Sequence, residues 1–213
     1  MARFRVALSP DVRHKGKVVF DLSPLTSNPD IEIGFVEPEN DIMPASVLAD
    51  YDALILLFPR FARESIASNH RLGLIAKFGV GYDNVDLSAC TEAGIALVTT
   101  PDGVRRPLAV ATLTFILALS GRLFVKDKIA RQGAKGFDQR LDHMGVGLVG
   151  RVLGSVGVGN IGAEVFRIAK PFDMRFIAYD PYINPAIAAE LGITLVDLDT
   201  VFASQNSLRS TAL

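Results

Sequence analysis

Short apolar runs alternate with polar, glycine-punctuated ones along the chain, and the period of the apolar positions predicts most of its elements. Phe4, Val6 and Leu8 alternate with Arg3 and Arg5, and Ile31, Ile33 and Phe35 repeat the period of two, so each set predicts a strand. Ala53–Phe58 is continuously apolar, as in a strand covered on both faces. Leu72–Phe78 and Ile95–Thr99 predict two more strands, and Leu87–Ala93 between them predicts a helix capped by Asp86 and closed by Gly94. Short helices are expected at Pro44–Ala49 and Ala62–Ser68, whereas the polar stretch 11–30 resists division. Strands alternating with helices imply a parallel sheet wrapped on both faces.

From Pro107 to Ser120 the chain is apolar nearly all round, which predicts a helix buried between bodies. Residues 121–151 change character, with Lys126, Lys128, Arg131, Lys135 and Arg140 among several glycines, and predict an amphipathic helix and an arm with a solvated basic face. After them Val152–Asp180 reads as strand, glycine turn, helix and second strand. Gly157, Gly159 and Gly162 supply G-x-G-x-x-G where Val152–Val156 must turn into a helix: the first permits the tight turn, the second lets backbone approach a pyrophosphate, and the third lets the helix lie close on its strand. Ile161, Val165, Ile168 and Ala169 form the helix's apolar face, Lys170 sits in its last turn and Pro171 stops it. Free amides from Asn160 and Ile161 onward, with the helix dipole behind them, would face the phosphates.

Phe176–Ala178 is the next strand, and Asp180 ends it about twenty residues after the first glycine, where a carboxylate accepts hydrogen bonds from an adenosine ribose and repels a 2′-phosphate. NAD is therefore expected over NADP. The competing reading of the glycines is a turn that only packs helix on sheet. A helix at Pro185–Leu191, a strand at Thr194–Val196 and the start of a helix at Asp197–Ala203 follow. The last ten residues, SQNSLRSTAL, lack apolar periodicity, and a dinucleotide fold ordinarily has further strands there.

Composition narrows the function classes. A formal net charge of −1 and a pI near 6.3 over 213 residues suggest neither a nucleic-acid nor an anionic-membrane partner. The most apolar helical stretch, Leu108–Leu119, is shorter than the roughly 20 residues a bilayer span needs, so a cytoplasmic protein is expected. The single Cys90 reads as an inert core residue, and with three scattered histidines no metal site is expected.

Four blocks in order, KFGVGYDNVDL (Lys77–Leu87), EAGIALVTTP (Glu92–Pro101), AVATL (Ala109–Leu113) and GRVLGSVGVGNIG (Gly150–Gly162), followed by YDPY, resemble the D-isomer-specific 2-hydroxyacid dehydrogenases of the phosphoglycerate and glycerate dehydrogenase group. The resemblance covers about residues 1–203. It implies an α/β protein with a flavodoxin-like substrate domain over residues 1–102, and an interdomain helix, arm and incomplete Rossmann NAD-binding domain over 103–213, with the active site in the cleft between them. It implies hydride transfer between NAD(H) and a small 2-hydroxy or 2-keto acid, and a homodimer through the cofactor domain and its arm. The Val80 and Gly81 amides would hold the substrate carboxylate, Gly79 would allow the approach and Lys77 could add positive potential. Arg105 and Arg106, opening the long helix, could meet an acidic substrate.

Two departures qualify the resemblance. Thr112 stands where the family usually has glutamate. The family's arginine, histidine and supporting carboxylate, which carry the acid–base chemistry, belong to the second half of the Rossmann domain. His14, His70 and His143 match none of those positions, so no catalytic residue is assigned. A truncated dehydrogenase, inactive alone and with Val152–Val156 as a sheet edge, is the leading expectation. The alternatives are a non-catalytic NAD-binding interaction module and a non-functional remnant.

Overall fold

The computed structural model describes residues 3–204 apart from 16 and 19. All of the SQNSLRSTAL tail beyond Ser204 lies outside them. The chain divides into two compact units, Met1–Val104 and Arg105–Leu213.

In the first unit, strands β1 (Phe4–Leu8), β4 (Ile31–Phe35), β5 (Ala53–Leu56), β6 (Leu74–Lys77) and β7 (Ala96–Val98) form one parallel sheet in the order β4-β1-β5-β6-β7. Alternation along β1 feeds both faces. Val6 and Leu8 pack with Val12 and Ala53 on one side, and Ala7 joins Leu54, Leu56, Ile75 and Met43 on the other. A two-stranded hairpin, β2 (Arg13–His14) and β3 (Lys17–Val18), and a single-turn helix α1 (Ser23–Thr26) occupy the stretch that the pattern could not divide. Helices α2 (Ala45–Leu48) and α3 (Leu87–Glu92) appear as expected, and Asp86 caps α3 by accepting the Ala89 amide at 2.9 Å. The expected helix at Ala62–Ser68 is only a 3-10 turn, Arg63–Ser65, because the Ser65 hydroxyl takes the Ala62 amide and closes the turn after one cycle.

The second unit opens with α4, Pro101–Ser120, which begins in the first unit and runs through Pro107 instead of starting there. Pro101 occupies the first helical position, where a missing N–H costs nothing. The helix departs from expectation in burial as well. Only Ala109 and Ala118 are buried, while Leu108, Val110, Phe115, Leu117 and Leu119 are exposed. An apolar composition requires a cover but does not supply one, and among the described residues of this unit nothing covers that side. At 20 residues with a mean hydropathy of 1.3, α4 is also long and apolar enough to cross a membrane, contrary to the shorter reading from the sequence. Helices α5 (Leu123–Ala130) and α6 (Ala134–Asp138) make the arm, with Lys126, Lys128 and Lys135 of the helices and the flanking Arg131 and Arg140 in solvent.

Strands β8 (Val152–Val156), β9 (Arg175–Tyr179) and β10 (Ile193–Leu195) form a parallel sheet in the order β10-β9-β8, so β8 is an edge, as expected for the first three strands of a dinucleotide fold. Helices α7 (Asn160–Ala169) and α8 (Pro185–Leu191) cover one face through Phe166, Ala169, Ala188 and Leu191. Phe166, absent from the predicted apolar face, is its most buried large side chain and lies on Phe176 with ring centroids 5.1 Å apart. Helix α9 (Leu198–Ser204) lies on the other side, where Gly154 leaves room for Val201.

Candidate functional site

Each unit presents one arrangement able to bind an anion. In the first, β1 lies between β4 and β5, so successive connections leave it in opposite directions; ligands of open parallel sheets bind at the carboxyl ends beside such a switch. There Ser9, fully buried, accepts the Leu57 amide through its hydroxyl at 3.1 Å, and Asp11 accepts the Phe58 amide at 3.4 Å.

Gly79 follows the end of β6 with φ of +140°, a conformation that side chains resist. Thr100, past the end of β7, fixes it. The Thr100 hydroxyl accepts the Gly79 amide at 2.9 Å, and the Thr100 amide donates to the Gly79 carbonyl at 2.9 Å. Among the described residues the exposed amides of Val80 and Gly81 have no partner, two consecutive donors to which an anion can offer oxygens. Asp83 sits beside them, its Oδ2 4.0 Å from where a Cβ on Gly81 would lie.

Two residues hold this turn in place that the sequence reading missed or misread. The Asn84 side-chain amide lies 2.7, 3.2 and 3.3 Å from the carbonyl oxygens of Pro59, Phe58 and Leu57. Lys77, read as a source of open positive potential, is instead buried, and its ammonium donates to the Leu57 carbonyl. Burial pushes its pKa down, with Asp11 opposing. The only signal for either was position, Lys77 two residues before the G-V-G turn and Asn84 three after it.

In the second unit Gly157 has φ of +89°, making the sharp exit from β8. A Cβ on Gly162 would lie 2.8 Å from the Gly157 carbonyl oxygen, so α7 rests against the turn at glycine distance. A Cβ on Gly159 would meet nothing within 4 Å; the space beside it is open. The Asn160 and Ile161 amides open α7 and have no partner among the described residues, as the first amides of a helix have none within it. Asp180 closes the site from the end of β9. Its Oδ2 accepts the Val158 amide at 2.7 Å and its Oδ1 the Tyr182 amide at 2.8 Å. These bonds, Val158's foremost, hold its carboxyl below the usual range, so it stays ionised with lone pairs to spare.

Arg106 is not available to an acidic substrate. It pairs with Glu164 of α7, which also takes Arg167, and Arg105 is engaged as well. Glu164 is buried, and its carboxyl is held below the usual range, first by Arg106 and then by Arg167. A folded pKa below the unfolded one means that this contribution is full above the ordinary glutamate value, about 4.3, and is lost as pH falls through the lower folded value. We therefore expect Glu164→Gln to lower the melting temperature at pH 7 and the gap from wild type to narrow as pH falls below the ordinary glutamate value. A constant gap across that range in thermal melts would contradict the assignment.

Thr112, in place of the family's glutamate, donates back to the Leu108 carbonyl at 2.9 Å. Of the histidines, His70 contacts the Leu72 carbonyl at 3.1 Å through Nδ1. Among the described residues none has a carboxylate partner, and no group of three or more His, Cys, Asp or Glu could hold a metal.

Residues 113–211 match the family model described as D-isomer specific 2-hydroxyacid dehydrogenase, NAD binding domain. D-3-phosphoglycerate dehydrogenase of Synechocystis is 33% identical over 189 residues, which is 88% of this chain and 33% of that protein. Glyoxylate reductase of Thermococcus onnurineus is 33% identical over 176 residues, 79% of this chain and 53% of that protein. Among solved structures, the pyruvate reductase of Chlamydomonas reinhardtii superposes with a TM-score of 0.72 at 28% identity, covering 94% of this chain and 58% of that one. The apo D-lactate dehydrogenase of Escherichia coli gives 0.70 at 25%, covering 94% and 62%. The chain spans about a third of the length of the first curated relatives it matches.

Proposed function

We infer that this chain, a member of the D-isomer-specific 2-hydroxyacid dehydrogenase family, supplies the cofactor-binding and carboxylate-binding parts of an NAD-dependent hydride transfer to a small 2-keto acid. The Gly157–Gly162 turn carries the reading. It combines a positive-φ glycine, open space at Gly159 and unpartnered amides at Asn160 and Ile161 with an ionised acid at the end of the next strand.

The residues fit NAD. Asn160 and Ile161 would donate to the pyrophosphate, and Asp180 would accept from the adenosine ribose and disfavour a 2′-phosphate. Bound NADH supplies the hydride. The Val80 and Gly81 amides would take the substrate carboxylate, a charge-assisted pair of bonds that orients the keto carbon. The described residues offer no general acid placed as the family requires, so turnover depends on groups beyond them.

The test is a fluorescence titration of the pure 213-residue chain with NADH and NADPH, followed by an assay with pyruvate, glyoxylate and hydroxypyruvate. We expect saturable NADH binding at least tenfold tighter than NADPH, and no turnover. Absence of NADH binding would overturn the cofactor assignment, and measurable reduction would overturn the inactivity of the chain alone.

We further place the protein in the cytoplasm, as a homodimer through its second unit. The support for the homodimer is the exposed apolar side of α4 together with a groove of about 540 Å³ in the arm, lined by Ile129, Ala130, Phe137, Leu141 and Met144 with Lys126 and Arg140; the cytoplasmic placement rests on the family alone.

A further inference from the structure

Resting on the assignment of Val80 and Gly81 to the substrate carboxylate, we propose that the acid bound there carries an uncharged apolar side chain, aromatic or branched, and not a phosphate. The carboxyl edge of the first sheet exposes large apolar groups around the free amides. Phe58 is 71% exposed, Tyr82 46% and Val80 41%. Phe78, one residue before Gly79, packs against Phe20 with ring centroids 4.4 Å apart, and each keeps 37% of its surface open.

These groups belong to one site. The Phe78 amide donates to the Leu56 carbonyl at 2.8 Å, and Asn84 gathers the Leu57, Phe58 and Pro59 carbonyls, so the exits of β5 and β6 are locked side by side. Apolar side chains left in water at a ligand edge gain when a ligand covers them.

The charges nearby point the same way. A phosphate needs cations free to pair, yet Lys77 is buried on the Leu57 carbonyl, Arg63 is paired with Glu92, and Arg13 with Glu37. Asp11 and Asp83 set negative charge at the edge, against a dianion. The cations that remain, Arg60 after β5 and Lys15 and Lys17 on the β2–β3 hairpin, are exposed, and they define the rival outcome.

The experiment follows the Val80 and Gly81 amide resonances of the full chain during titration with phenylpyruvate, 4-methyl-2-oxopentanoate, pyruvate and 3-phosphohydroxypyruvate. We expect phenylpyruvate to bind about tenfold more tightly than pyruvate and at least tenfold more tightly than the phosphorylated acid. In Phe58→Ser the ratio to pyruvate should fall toward one, and Phe58→Leu should restore most of it; Phe58 is exposed enough for both to fold. Equal or tighter binding of 3-phosphohydroxypyruvate, lost in Lys15→Ala, would overturn the proposal in favour of the hairpin. If pyruvate shifts the two amides and phenylpyruvate binds no better, the side-chain inference alone fails. If no acid shifts them, the carboxylate assignment fails with it.

Discussion

Gly162→Val is expected to destabilise the second unit by about 2–4 kcal/mol and to weaken NADH binding at least tenfold. The Cβ would stand 2.8 Å from the Gly157 carbonyl oxygen, a backbone atom with no rotamer to change. Relief requires α7 to lift away from the turn, which moves the Asn160 and Ile161 amides with it and opens the contact between Phe166 and Phe176. Stability and binding therefore fall together. Alanine at the same position places the same Cβ but no branch, so its loss should be smaller and in the same direction. Thermal melts and a fluorescence titration measure both, and a valine variant with wild-type melting and affinity would show that the close approach is not required.

Asp180→Ala is expected to weaken NADH binding by about 10–100-fold and to leave NADPH binding nearly unchanged, so that the discrimination between them narrows. The carboxylate has two duties. It keeps the glycine turn closed by taking the Val158 amide, a group otherwise shut away from water, and it is the charge a 2′-phosphate would meet. Because its folded pKa lies below the ordinary carboxylate value, both duties hold throughout the neutral range and are lost only as pH falls through that lowered value. Dissociation constants for the two cofactors, wild type against variant, decide the point. Loss of NADH binding with no change in the NADH to NADPH ratio would remove Asp180 from the discrimination and leave it a purely structural clamp.

These expectations rest on features of unequal visibility in the sequence. The strands at Phe4–Leu8 and Ile31–Phe35 were legible because their larger apolar residues, Val6, Leu8, Ile31, Ile33 and Phe35, gather on one face of the sheet, which writes packing as alternation. The dinucleotide turn was legible because its three glycines each answer a different steric demand within a few residues of chain. Glu164 was not legible. It lies among the apolar positions of an amphipathic helix, and its partner Arg106 is 58 residues away, so no local pattern joins them. The exposure of α4 was hidden for a related reason: composition says how much surface a helix prefers to cover, not whether a partner is present to cover it. Lys77 shows the same limit at one residue, since a lysine at a strand end reads as solvated until a carbonyl is found above it.

The small β10-β9-β8 sheet has one more consequence, for the order in which the chain folds. Each strand pairs with the next in sequence across a single helix, Val152–Val156 with Arg175–Tyr179 and Phe176–Ala178 with Ile193–Leu195. No strand skips its predecessor in sequence, as Ala53–Leu56 does when it pairs with Val6–Leu8 and not with Ile31–Phe35. Loop closures of that local kind cost little entropy and are made quickly. The cofactor turn therefore forms at the first of these closures, as soon as β9 docks on β8, and the rest of the sheet grows away from it.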